Sequence, residues 1–135
     1  MEIKKNNATH NRPEGDRILD APLVRMNFAE SIGQIKSETA WQNSDRNGLT
    51  LLHSDQLRVV LIALKQGAEM APHGIDNASF VQVVEGRIWI ETLEQSLSLD
   101  AGEALALAPG IPRSLFAEEE AVVLLTLAGE NINLF

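Results

Sequence analysis

Apolar and polar positions change rhythm twice along the chain. Residues 1–20 show no periodicity: they are polar and broken by Asn11-Arg12-Pro13 and Glu14-Gly15. They read as a flexible N-terminal arm of the kind that sometimes pairs with a partner subunit. In NFAESIGQIKSE, Phe28, Ile32 and Ile35 then recur at helical spacing, with Asn27 as N-cap and Glu30 three residues on. That pattern predicts a short amphipathic helix, which Gly33 weakens. Trp41 and the turn-rich stretch from Asn43 to Gly48 complete a helical lead-in over 21–48.

From residue 49 the rhythm becomes that of strands. LTLLH (49–53), LRVVLIALK (57–65), SFVQVVE (79–85), RIWIETL (87–93), SLSL (96–99), EALALA (103–108), RSLFA (113–117) and AVVLLTLA (121–128) are short and apolar or alternating. Ser54-Asp55, Gly67, Glu85-Gly86, Asp100-Ala101-Gly102 and Pro109-Gly110-Ile111-Pro112 punctuate them. Eight strands without a long helix between them predict an all-β antiparallel sandwich or barrel over 49–135. Strands 57–65 and 121–128 are apolar on both faces, so both faces should be covered.

Composition narrows the function classes. The 135 residues suit one domain, and 44% apolar residues suffice for a core. There is no Cys, hence no disulfide, thiolate metal site or Cys nucleophile. The N-terminus has no apolar run of the signal-peptide or spanning kind, so a cytoplasmic protein without a membrane association is expected. Eleven Lys and Arg against 19 Asp and Glu give a net charge of −8, which disfavours nucleic acid as a partner. No nucleophile elbow, phosphate loop or dinucleotide fingerprint occurs.

Two motifs carry a resemblance. Gly67 is followed by five residues and His73, then Ile75, Ser79 and Gly86; later Gly102 precedes the Pro109–Pro112 turn and Arg113. In spacing this resembles the cupin superfamily, above all its small single-domain bacterial members. The resemblance implies a cupin-type double-stranded β-helix, a jelly-roll barrel of about eight antiparallel strands with a short N-terminal helix. An immunoglobulin-like sandwich fits the strand number but not the order of turns. In the family pattern Gly, five residues, His-x-His, three or four residues, Glu, six residues and Gly form the first motif. A final His follows the glycine and proline turn of the second. Here Ile75, Ser79 and Arg113 stand where the second His, the Glu and the last His would be.

The chemistry changes accordingly. Ile offers no donor atom, Ser is a poor ligand for a divalent ion, and Arg holds its proton near neutral pH. No metal and no cofactor are therefore expected. Arg113 instead offers a planar fork of donors for a carboxylate or phosphate, with His73, Ser79 and Gln82 as further candidate ligand-binding residues. Arg113 has an alternative too: following the proline turn into solvent, where Glu118 is a partner. Glu69, Asp76, Asn77 and Gln82 are the nearest non-family candidates for a metal. His10 and His53 have solvent positions as their default.

Three functions compete. The first is a metal-free barrel binding a small polar or anionic molecule. The second is an enzyme, either metal-dependent through non-family ligands or metal-free with His73 as acid or base. The epimerase version of it loses ground because the chain has no Tyr. The third is a structural or regulatory dimer whose cavity is filled by residues such as Ile75, Val81 and Leu115. A homodimer is expected under all three, with Trp41 and Trp89 as contact residues.

Overall fold

The computed structural model describes residues 4–6, 17–73 and 76–129. Strands β1 (Lys4–Asn6) and β2 (Arg17–Asp20) pair antiparallel. The stretch expected to be a flexible arm thus contains a two-stranded ribbon, and its apolar Leu19 is buried. Strands of three and four residues are too short to carry a periodicity.

Helix α1 (Phe28–Ser37) starts where the capping pattern places it: the Glu30 N–H donates to Asn27 Oδ1 at 3.1 Å. Ile32 and Ile35 are buried, and α2 (Thr39–Asn43) buries Trp41. Both helices lie on a five-stranded sheet of order β3-β4-β11-β6-β9. Its strands are β3 (Arg46–His53), β4 (Leu57–Leu64), β6 (Ala78–Glu85), β9 (Ala104–Leu107) and β11 (Ala121–Ala128). The opposing sheet, of order β5-β10-β7-β8, contains β5 (Glu69–His73), β7 (Arg87–Thr92), β8 (Ser96–Asp100) and β10 (Arg113–Ala117). Every pairing is antiparallel.

The doubly apolar strands are explained by two separate cores. Val60, Ile62 and Leu64 of β4 and Val123, Leu125 and Leu127 of β11 point between the sheets, against Val81, Val83, Ile88, Ile90 and Leu115. Val59, Leu61 and Ala63 of β4, with Val122 and Leu124 of β11, face the other way and take up Ile32, Ile35 and Trp41. Period-two alternation along a strand sorts the residues between these cores. Trp41 is therefore buried inside its own chain, with Lys65 Nζ 5.0 Å from its ring centre.

A polar clasp locks the lead-in to the sheet. Buried Asn47 donates from Nδ2 to the Ile35 carbonyl and to Glu38 Oε1, both at 2.9 Å, while its Oδ1 accepts from the Gly48 N–H at 3.0 Å. Lys36 in the last turn of α1 reaches Glu85 at 3.0 Å and Glu120 at 3.2 Å. Those carboxylates sit at the β6–β7 and β10–β11 turns, so one ammonium ties three segments together. At the β6–β7 turn, Gly86 has φ +78, and a Cβ there would stand 2.1 Å from the Glu120 carbonyl oxygen. Only glycine allows these two turns to approach so closely.

Candidate functional site

Both motif residues whose side chains are described point between the sheets. On β6, Ser79 shares the inner face with Val81 and Val83; its register partners are Leu127 on β11 and Leu107 on β9. It is 4% exposed, and among the described residues its Oγ has no hydrogen-bond partner. On β10, Arg113 shares the inner face with Leu115 and Ala117 and is 9% exposed. Among the described residues its Nη1 has no hydrogen-bond partner and no carboxylate pairs with it. Burial pushes this guanidinium below the usual arginine range. Arg113 thus does not follow the turn into solvent or pair with Glu118; that acid lies 3.5 Å from Arg87 Nε instead.

Arg113 sits between two register partners, Thr92 on β7 and His73 on β5. The β5–β10 ladder shifts between Arg113 and Leu115, because three steps on β5, from Met70 to His73, oppose two on β10. Pro72 falls in this irregularity, where its missing N–H costs no ladder bond. The shift brings the His73 backbone opposite Arg113. Its side chain, and Ile75 entirely, lie outside the described residues.

Gln82 needs a correction. Two strand positions from an inward residue is inward, whereas three is outward. Gln82 therefore lies on the outer face of β6, opposite Ser79 and Val81, and does not reach the space between the sheets. Glu69 and Asp76 are exposed, and buried Asn77 has a partner of its own. His53 closes β3, half-buried and partnered, while His10 lies outside the described residues.

These donors do not suit a divalent metal. Among the described residues no three His, Asp or Glu come close enough to share an ion. At the described motif positions, the groups turned inward are a hydroxyl and a fixed cation, the latter repelling a second positive charge in a medium of low dielectric. Instead, Ser79 Oγ and Arg113 Nη1 are buried polar atoms without a partner among the described residues.

A cleft of about 410 Å³ opens beside them, between β7, the start of β8, β9 and the loop before β10. Ile90, Thr92, Leu97, Leu105, Leu107 and Pro112 form much of its wall. EALALA alone is equally consistent with small alanines that leave room for a ligand and with close sheet packing. In the fold Leu105 and Leu107 are half-buried and Ala104, Ala106 and Ala108 exposed, while Leu105, Ala106, Leu107 and Ala108 all line the cleft. The alternation was visible in the sequence; which face turned inward depended on the pairing of β9 with β6.

No protein-family model matches this sequence, and no curated protein matches it either. Solved structures do. A cupin-2 domain containing protein from Shewanella frigidimarina superposes with a TM-score of 0.63 at 19% identity, covering 77% of this chain and 94% of that one. A conserved protein of unknown function from Streptococcus pyogenes gives 0.61 at 21% identity, covering 66% and 78%. The oxalate decarboxylase of Bacillus subtilis, described with Mn(II) centres, gives 0.58 at 22% identity, covering 65% of this chain and 26% of that chain. These matches span an enzyme and a protein of unknown function, so they speak to architecture and not to activity. The two facing antiparallel sheets behind a short helical lead-in are the double-stranded β-helix of the cupin fold.

Proposed function

We propose that this chain is a binding module: a metal-free cupin barrel that holds a small anionic molecule through Arg113. Ser79 and His73 are the candidate further contacts. The observation that carries the reading is a buried guanidinium without a counter-charge among the described residues. Burying an unpaired charge costs several kcal/mol, roughly, even after relaxation, and a carboxylate or phosphate on Arg113 would recover much of that cost. A thermal-shift screen of anions and neutral analogues, with elemental analysis of the purified protein, tests it. Stoichiometric iron, manganese or zinc with no stabilisation by any anion would refute it.

A second reading has a specific observation behind it. The space between the sheets is packed by Val81, Leu115 and their neighbours, as a structural or regulatory barrel requires. If no small molecule raises the melting temperature, this reading replaces the first. An enzymatic role would rest on His73 as an acid or base beside an anion held by Arg113; His73→Ala abolishing a turnover is its test.

We further propose a cytoplasmic homodimer. Among the described residues no helix is long and apolar enough to cross a membrane. With Trp41 buried, Trp89 is left of the two tryptophans for a contact, 38% exposed on the outer face of β7. Sedimentation showing a monomer at micromolar concentration would refute the dimer.

A further inference from the structure

The cleft beside Arg113 constrains which anion could bind. Its wall is dominated by Ile90, Leu97, Leu105, Leu107 and Ile111. A sugar acid or other polyol laid against these side chains would leave its hydroxyls without partners, at roughly 1–3 kcal/mol each. The polar wall residues Thr92, Glu94 and Gln95 are confined to the turn from β7 to β8, away from most of this surface. The Thr92 hydroxyl is engaged within its own turn, donating to the Gln95 carbonyl at 2.9 Å and accepting from the Gln95 N–H at 3.1 Å. Glu94 is an acid on the cleft, so a second negative charge on the ligand body would be repelled there.

One end differs. Pro112 and Thr92 belong to the wall, and Arg113 follows the first in sequence and is the register partner of the second. Ser79 is likewise the register partner of the wall residue Leu107. Both orphaned polar groups are thus one register step from the wall and face the space between the sheets, Arg113 on β10 beside β7 and Ser79 on β6 beside β9. A volume of about 410 Å³ is near the small end of ligand sites, which run from roughly 300 to 1,000 Å³.

Building on the anion-binding reading above, we infer that the ligand class is an amphipathic monocarboxylate, its apolar body in the cleft and its carboxylate on Arg113. The deciding experiment is calorimetric titration of the full chain with acetate, butyrate, octanoate, octanamide and inorganic phosphate. It is repeated on Arg113→Met, with circular dichroism as the check on folding. Octanoate should bind, with affinity rising roughly fourfold per methylene from butyrate upward. Octanamide should bind about tenfold more weakly or worse, and Arg113→Met should lose octanoate affinity by a similar factor. If acetate or phosphate bind through Arg113 while longer chains gain nothing, the inference falls and the anion reading stands. Octanamide binding as tightly as octanoate, or octanoate binding untouched by Arg113→Met, overturns it as well. If none of these anions binds, both fall.

Discussion

Arg113 on β10 and His73 on β5 are register partners across the irregular edge ladder of the smaller sheet. The backbone of His73 thus faces that of Arg113, which stands where the cupin pattern has its last His. A fixed positive charge in that place disfavours a cation. The consequences are measurable in stability, in ligand response and in the turns that hold the rung in place.

Replacing the buried charge should stabilise the empty protein. Burial holds the Arg113 guanidinium below its usual range, so the unfolded chain binds that proton more tightly than the folded one. The cost persists at every pH below the lowered value, and neutral pH lies well inside that window. Arg113→Met keeps the apolar stem and removes the charge. Urea unfolding at pH 7 should show a gain of about 1–2 kcal/mol; a loss would indicate a hidden partner.

Ser79 and Gln82 should separate cleanly. Ser79→Ala removes an orphaned buried hydroxyl, so stability should hold steady or rise by up to about 1 kcal/mol, while anion affinity falls. Gln82→Ala, on the outer face of the same strand, should leave anion affinity unchanged in the same titration.

Gly86→Ala should be the most damaging single-atom change. A Cβ at φ +78 adds roughly 1–2 kcal/mol of backbone strain, and its 2.1 Å approach to the Glu120 carbonyl forces the two turns apart. A total loss of about 3 kcal/mol or more is expected on denaturant unfolding.

Lys36 supplies a pH signature. Burial alone would lower its pKa, but hydrogen bonds to Glu85 and Glu120 outweigh it, and the net shift is upward. A raised lysine contributes fully below its unfolded value and loses that contribution as pH climbs through its folded one. Lys36→Met should therefore cost under about 1 kcal/mol at neutral pH, since the partners are half in solvent. The difference from wild type should close above pH 10.5.

Much of this architecture was legible in the residues. The Asn27 cap, the Ile32 and Ile35 stripe and the doubly apolar strands each state a local physical requirement, and the fold meets it. Strand β5 escaped notice because Pro72 and Gly74 interrupt GAEMAPHGI, and its pairing is irregular. The ribbon of β1 and β2 carries no pattern that a window could detect. Arg113 could be placed at a motif position but not assigned a side, because an arginine after a proline turn usually reaches water. Only the inward phase of Leu115 and Ala117 decides the matter. Gln82 shows the opposite failure, since nearness in sequence to Ser79 concealed the parity that turns it away.

The account depends most on Arg113 acting as an anion acceptor, and one comparison tests that directly. Melting temperature is followed against octanoate or phosphate concentration at constant ionic strength, for wild type and Arg113→Met. The wild-type midpoint should climb with ligand as mass action requires, while the variant starts higher and stays flat. Parallel curves for the two proteins, or a wild type that responds to a divalent cation and to no anion, would contradict it.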